Sequence, residues 1–279
     1  MVRTSIDEFY NKLKDVIKIP IMRVLPGQLA FYLVLSIIPI ISLVGLIATF
    51  FSLSVNSFIE LIEASFPAAT SNLLIPLIDG KGFDFNVFIF VISAFLLASN
   101  GTYTIIVISN MLYGLKDSGL IKTRIKAIGL TCIIVILLAF VLIVPAFGRT
   151  ILELINSTKL FKSLSKEIIF LYRLLEIPLS FFFIYINIKL IYTLAPAKRI
   201  NSEDATYGSL FTSLGWMIAT KVYSYYVLVF TNYDIFYGSI ANLITLLIWI
   251  YLLSLIFVIG LAFNASTDQR KRRLKNELL

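Results

Sequence analysis

A few ionisable side chains interrupt the long apolar stretches of this sequence, and they are the residues that could do chemistry. Lys221 stands within "GWMIATKVYSYY", and Arg173 and Glu176 stand three residues apart in another apolar stretch. A charged side chain at membrane depth costs about 3 kcal/mol to insert, so such groups usually face a cavity or a partner. They predict a polar cavity that binds an anionic group. The amides of Asn100 and Asn242 also need partners in apolar stretches, and they are expected either to join helices or to line this cavity.

The three charged side chains are expected to share one depth. Lys221 lies 16 residues into its apolar stretch, or about 24 Å along a helix, in the outer half of a membrane. Arg173 and Glu176 lie near the outer end of the preceding stretch, where Glu176 could pair with Arg173 along its own helix or with Lys221 across to the next. The alternative is that Lys221 extends towards the outer head groups beside Tyr225 and Tyr226.

The residue content argues against metal-dependent and acid–base catalysis. The chain has no histidine and a single cysteine, Cys132, so the commonest general base and the commonest transition-metal ligand are missing. The carboxylates do not cluster at a spacing typical of catalysis. We therefore predict no catalytic residue, no metal site and no cofactor.

The composition is that of a membrane protein. Hydrophobic residues make up 59% of the 279 residues and charged residues only 14%, against about 25% charged residues in soluble domains. The apolar stretches are continuous rather than alternating, which excludes a β-barrel. We predict an all-α polytopic membrane protein, a bundle of six transmembrane helices over 28–51, 87–113, 127–148, 168–195, 205–230 and 237–263.

The distribution of basic residues predicts the orientation. Of the 24 Lys and Arg residues, 16 fall in the N-terminal segment, the second and fourth connections and the C-terminal segment, and 5 on the opposite side. Both termini are therefore expected to be cytoplasmic. Residues 1–25 are predicted to form a cytoplasmic amphipathic helix, 26–264 the transmembrane domain, and 265–279 a basic cytoplasmic tail. The first outer connection, 52–86, is expected to hold short interfacial helices.

Several segments carry a family resemblance. "LSIIPIISLVGL", "SNGTYTIIVISNMLYGLK", "IYTLAPAKRI" and "FYGSIANLITLLIWIYLLSLIFVIGLAFNA" resemble, in order and spacing, the YihY/BrkB family of bacterial inner-membrane proteins, many of which bear the label ribonuclease BN. The resemblance implies six membrane helices and a location in the bacterial inner membrane. Ala262 stands where the family often has Glu, so a proton or cation role for that carboxylate cannot apply here.

Three functions are compatible with these observations. Cations at membrane depth favour a transporter or translocase of a lipid or other amphiphile with an anionic head group, with membrane lipids as partners. A non-transporting membrane scaffold or envelope factor is the alternative. A membrane-bound ribonuclease lacks support from the residue content, and no nucleic-acid partner is expected because the basic tail suits anionic lipid. The sequence sets no oligomeric state.

Overall fold

The computed structural model describes residues 20–50, 63, 85–116, 118–137, 165–230 and 241–277. Every regular element in these ranges is helical, which confirms the predicted all-α class. A 3₁₀ turn over Pro20–Arg23 precedes the α-helices. The helices in chain order are α1 (Leu25–Phe50), α2 (Phe85–Tyr113), α3 (120–137 in its described part), α4 (Ser165–Leu194), α5 (Thr206–Phe230) and α6 (Ala241–Glu277).

Proline and glycine set two of the helix ends. Pro26 lies in the first turn of α1, where the missing N–H group has no intrahelical partner to lose. α2 ends in a glycine cap: Gly114 has φ +63°, its N–H donates to the carbonyl of Met111 at 3.2 Å, and the N–H of Leu115 donates to the carbonyl of Asn110 at 2.8 Å. This pair of bonds is a Schellman motif, which ends α2 and turns the chain towards α3.

α6 occupies the centre of the described bundle. It packs against α5, α1 and α2, while α1 also packs against α2 and α4 packs against α5. The largest fully buried side chains of the described residues come from five helices (α1, α2, α3, α4 and α6) and include Leu25, Tyr113, Val135, Tyr192 and Leu261. The buried core is therefore shared across the bundle rather than confined to one helix pair.

Small residues bring α1 and α2 close together. The N–H of Gly101 lies 3.2 Å from the hydroxyl oxygen of Ser36, and a Cβ atom at Gly101 would lie 3.0 Å from the same oxygen. Ser36 in turn donates to the carbonyl of Tyr32 on its own helix. Close backbone approach with hydroxyl hydrogen bonds is typical of helix pairs in membranes, where apolar contact alone gives little preference over lipid.

Three of the helices are long and apolar enough to cross a membrane within the described residues, over Ile92–Tyr113, Ile177–Leu194 and Leu243–Gln269. The six-span topology stays a prediction. Residues 1–19 and most of the first connection, where an amphipathic helix and interfacial helices are predicted, lie outside the described residues. α6 continues unbroken to Glu277, so the predicted basic tail begins as an extension of that helix.

Candidate functional site

The structure places the sequence-predicted residues in different surroundings. Lys221 lies on the exposed face of α5, the same face as Ile218 and Tyr225, and not in the bundle interior as predicted. An exposed position is what the alternative requires, in which its ammonium group extends towards the outer head groups beside Tyr225 and Tyr226, and that alternative stays a prediction. The side chains of Arg173, Glu176 and Asn242 lie outside the described residues, although their backbones belong to α4 and α6. A binding role for these four residues stays a prediction.

Asn100, in contrast, is part of a charged contact between two helices. Nη1 of Arg124 on α3 donates to Oδ1 of Asn100 on α2 at 2.7 Å. Nη2 of the same guanidinium donates to the backbone carbonyl of Leu96 at 3.0 Å. Because a guanidinium carries donors only, the amide of Asn100 must present its oxygen to it. We call this pair of side chains the Arg124–Asn100 site.

The Arg124–Asn100 site lies far from either end of α2. Asn100 precedes Tyr113 by 13 residues, which is about 20 Å of helix at 1.5 Å per residue. It follows Ile92, the other end of the candidate span, by 8 residues, or about 12 Å. The guanidinium is therefore held level with the interior of a membrane-spanning helix.

The first turns of α3 are fixed against the middle of α2 by hydroxyl groups. The hydroxyl of Thr102 contacts both the carbonyl of Ala127 at 2.9 Å and the hydroxyl of Thr131 at 2.7 Å. Thr131 also donates to the carbonyl of Ala127 on its own helix. Thr102, Ala127 and Thr131 are all buried. This contact fixes how far along α2 the side chain of Arg124 can reach.

The charge of Arg124 is not neutralised within the described part of the chain. Its hydrogen-bond partners are an amide oxygen and a backbone carbonyl, and both are neutral. Arginine stays protonated at any ordinary pH, so the site carries a full positive charge. The side chain is half-exposed, and two of the five guanidinium N–H groups are used. The remaining donors can bind an anion that approaches from outside the bundle.

A second polar contact lies where α2, α3 and the 195–205 connection meet. The peptide group between Pro196 and Ala197 is held on both sides. Its carbonyl accepts a hydrogen bond from the ammonium of Lys126 at 2.5 Å, and its N–H donates to Oδ1 of Asn110 at 2.6 Å. Lys126 and Arg124 are two residues apart on α3, so they point to different sides of that helix.

A third polar contact joins α5 to α6. The side chain of Asn264 on α6 accepts a hydrogen bond from the N–H of Gly208 at 2.8 Å and donates to the carbonyl of Ala205 at 3.2 Å. Gly208 is the third residue of α5, whose first N–H groups have no partner within the helix. Asn264 therefore caps α5 from a neighbouring helix, a role that a local Ser, Thr or Asp usually fills.

Sequence reasoning missed Arg124 as a functional residue. It was counted among the basic residues of the second connection, because it precedes the third apolar stretch. The contact between Thr102 and α3 was the missing information, since it brings the first turns of α3 beside the middle of α2. The one available signal was the pair itself: Asn100 needed a partner in an apolar span, and Arg124 is a nearby donor in the sequence.

No group of three or more His, Cys, Asp or Glu side chains that could hold a metal ion is found in the described residues. The fold and the buried polar contacts define a helical membrane protein, and relatives bear out this class. The chain belongs to the virulence factor BrkB family, whose family model matches residues 22–278.

Several curated proteins are similar to this chain. The putative ribonuclease-like protein YfkH of Bacillus subtilis is 28% identical over 254 residues, which cover 88% of this chain and 90% of that protein. The UPF0761 membrane protein NTHI0384 of Haemophilus influenzae is 27% identical over 89 residues, 32% of this chain and 33% of that protein. A UPF0761 membrane protein of Vibrio atlanticus is 30% identical over 82 residues, 29% of this chain and 26% of that protein. No solved structure matches the chain.

Proposed function

We propose that this chain is a transporter or translocase that binds the anionic head group of a lipid or similar amphiphile at the Arg124–Asn100 site. The observation that carries the proposal is a half-exposed guanidinium whose described partners are neutral. An unpaired charge among apolar helices is costly, and such residues commonly mark substrate pathways. A phosphate or carboxylate head group would neutralise the charge and use the free N–H groups.

The geometry of the site suits a phosphate group in particular. Arginine presents parallel N–H groups that match two phosphate oxygens, which makes the contact directional as well as electrostatic. Asn100 and the carbonyl of Leu96 hold the guanidinium in place. The rotamer freedom that a free arginine would lose on binding is therefore reduced. The location of the protein in the bacterial inner membrane, with cytoplasmic termini, is part of this proposal.

The two other functions make different demands. A scaffold would use the contact between Arg124 and Asn100 only to join α3 to α2, and removal of the charge would then affect stability alone. The ribonuclease activity suggested by the name of YfkH has no site assigned to it among the described residues. The experiment described next can distinguish both of these functions from transport.

The proposal is tested by reconstituting the purified protein in liposomes and following fluorescent lipids between the two leaflets. We expect faster movement of labelled phosphatidylglycerol than in protein-free liposomes. Arg124→Gln should slow this movement by about tenfold, because a charge-assisted hydrogen bond contributes about 1.5–3 kcal/mol. Lys122→Gln is the matched control, since Lys122 is an exposed cation on the same helix, and it should leave the rate unchanged.

Two results would contradict the proposal. Equal rates for liposomes with and without the protein would favour a scaffold, provided that the reconstituted protein is folded. Cleavage of RNA by the same preparation would favour a nuclease. Asn242, Arg173 and Glu176, which were predicted from the sequence to line the binding cavity, are tested in the same assay by substitution with Leu or Gln.

A further inference from the structure

We propose that α4 carries a binding site for an anionic phospholipid, with the head group at Lys189 and an acyl chain along Tyr185 and Phe181. These three side chains are four residues apart, so they form one stripe on the surface of the helix, which we call the α4 stripe. The inference concerns binding on a different helix from the Arg124–Asn100 site, and it holds whether or not the protein moves lipid.

The side chains of the α4 stripe contact one another in order along the helix. The ammonium nitrogen of Lys189 lies 5.4 Å from the centroid of the Tyr185 ring, which is within the range of a cation–π interaction. The rings of Tyr185 and Phe181 are stacked, with their centroids 6.1 Å apart and an angle of 18° between their planes. The stripe is therefore continuous over about 12 Å of helix, with a cation at one end and apolar rings at the other.

The charge of Lys189 has no anionic partner in the described part of the chain. Its ammonium group carries three N–H donors, and the described residues give it neither a hydrogen bond nor an ion pair. The Tyr185 ring attracts the cation through its quadrupole but does not neutralise it. Because the side chain is half-exposed, an anion can reach these donors from the surface of the bundle.

The direction of the Lys189 side chain distinguishes it from a lysine that extends to the nearer membrane surface. Lys189 precedes Leu194, the end of α4 and of its candidate span, by 5 residues, or about 8 Å of helix. Tyr185 lies one turn further from that end, and the ammonium group lies over its ring. The side chain therefore points towards the N-terminus of α4, as the Cβ direction favours, and holds its charge inside the span, where a counter-ion is most needed.

The polarity of the α4 stripe specifies the occupant. The cation lies near the end of the span and the rings lie towards its middle, which is the order of phosphate and acyl chain in a lipid of the adjacent leaflet. A free anion would contact Lys189 alone and leave the rings uncovered. A zwitterionic head group brings its own cation, so a lipid with net negative charge is favoured.

The exposure of α4 leaves room for such a lipid. Only 17% of the candidate span Ile177–Leu194 is buried, against 56% for each of the other two candidate spans. Beside the stripe, Phe182 and Leu179 are 53% and 41% exposed. They add apolar surface that an acyl chain can cover.

Photocrosslinking in liposomes tests the inference. The full-length protein is reconstituted with phosphatidylglycerol or phosphatidylcholine that carries a diazirine in an acyl chain, and the crosslinked residues are mapped by mass spectrometry. We expect phosphatidylglycerol to label residues 177–189 about tenfold more than phosphatidylcholine does. Equal labelling by the two lipids would overturn the inference. Crosslinking as expected without any movement of lipid would contradict the proposed function alone.

The decisive variant is Lys189→Gln, which removes the charge and keeps a side chain of similar length. It should abolish the preference for phosphatidylglycerol and leave labelling by phosphatidylcholine unchanged, while Lys189→Arg should retain the preference. Lys221→Gln is the matched control, since Lys221 is an exposed cation on the neighbouring helix α5, and it should leave labelling of α4 unchanged. A preference that persists in folded Lys189→Gln protein, or one that is lost equally in Lys221→Gln, would overturn the inference.

Discussion

Lys122, Arg124 and Lys126 lie within five residues of one another, yet their side chains have three different environments. Lys122 is exposed, Arg124 reaches Asn100 and Leu96 on α2, and Lys126 reaches the carbonyl of Pro196. The difference follows from the period of the helix, because residues two apart point to different sides. A basic residue near the start of a span is therefore not always a loop cation that only sets topology.

Asn264 gives a prediction about stability at the scale of one residue. Its side chain caps α5 through Gly208 and Ala205, and it is 1% exposed. Asn264→Ala should lower the free energy of unfolding by about 1–2 kcal/mol, since the buried N–H of Gly208 would lose its partner. The carbonyl of Ala205 would keep its hydrogen bonds from Ser209. Thermal unfolding in detergent is the measurement.

The matched control for Asn264 is Asn187→Ala. Asn187 is half-buried and donates to the carbonyl of Phe183 within its own helix, so its loss leaves no helix end uncapped. We expect a smaller decrease in the unfolding temperature than for Asn264→Ala. Equal decreases would contradict the capping role of Asn264.

Lys221 provides a second prediction about a residue. Because it lies on the exposed face of α5 with Ile218 and Tyr225, Lys221→Leu should fold and should move anionic lipid at a rate within about twofold of the wild type, a difference of about 0.4 kcal/mol. Liposome assays of both proteins give this comparison. A decrease in the rate as large as that expected for Arg124→Gln would contradict this prediction and would indicate that Lys221 takes part in binding.

At the scale of elements, the crossing of α5 and α6 depends on two glycines. A Cβ atom at Gly260 would lie 2.9 Å from the carbonyl oxygen of Gly208 and 2.8 Å from the hydroxyl of Tyr192, and it would also meet Thr212 Oγ1. That hydroxyl of Tyr192 already bonds to Thr212 at 2.7 Å and to the carbonyl of Phe257 at 2.6 Å. The carbonyl of Gly208 belongs to the helix backbone, and the hydroxyls of Tyr192 and Thr212 are held by their hydrogen bonds, so these groups cannot easily make room for a methyl group.

Gly260→Ala should therefore destabilise the protein by about 1–3 kcal/mol, the usual cost of overpacking. Gly129→Ala is the control, since nothing lies within 4 Å of a Cβ atom there, and it should be neutral or stabilise α3 by up to about 1 kcal/mol. Unfolding temperatures of the two variants give the comparison. Equal stability of Gly260→Ala and the wild type would show that α5 and α6 can separate at no cost.

The elements themselves were largely predictable. The ends of α1, α2, α4 and α5 lie within three residues of the predicted spans, because a run without charge and of sufficient length has few alternatives to a helix in a membrane. The faces that meet were not predictable. Small residues at four-residue spacing identify a face that can pack closely, but they do not say which helix will pack there.

For the candidate site, the depth of a residue along its helix was predictable, but the direction of its side chain was not. Asn100 is expected from the sequence either to join helices or to line a cavity, and its hydrogen bond with Arg124 joins α2 to α3. A cavity role for Asn100 stays a prediction. The predicted cluster around Lys221 rested on depth alone. Depth is given by the helical rise, whereas the direction of a side chain depends on how the helix is rotated in the bundle. That rotation is set by contacts such as Gly208 with Asn264.

At the scale of the whole molecule, two of the segments rich in basic residues, the 195–205 connection and the C-terminal part of α6, lie near the same end of α2. The 195–205 connection bonds to α2 through Asn110, and Gln269 on α6 donates to the carbonyl of Leu112 near the end of α2 at 3.0 Å. This arrangement is the one that the predicted orientation requires. The assignment of this end to the cytoplasm stays a prediction from the distribution of Lys and Arg.

Cysteine labelling tests that orientation. The exposed native thiol, Cys132, is first replaced in Cys132→Ala. In that background, a membrane-impermeant reagent added to intact cells should label Ser71→Cys, in the predicted outer connection, and should not label Lys198→Cys, an exposed position at the basic end. The opposite pattern would reverse the predicted topology.

The central claim is that Arg124, whose partners among the described residues are neutral, binds an anionic head group, and Asn100→Asp tests it most directly. The aspartate keeps the acceptor at Oδ1 and the contact with α3, but it supplies the negative charge that the substrate would otherwise bring. The measurement is the rate of movement of labelled phosphatidylglycerol between leaflets, relative to that of labelled phosphatidylcholine. We predict that Asn100→Asp, folded and at least as stable as the wild type, loses the preference for the anionic lipid by about tenfold. An unchanged preference would contradict the account.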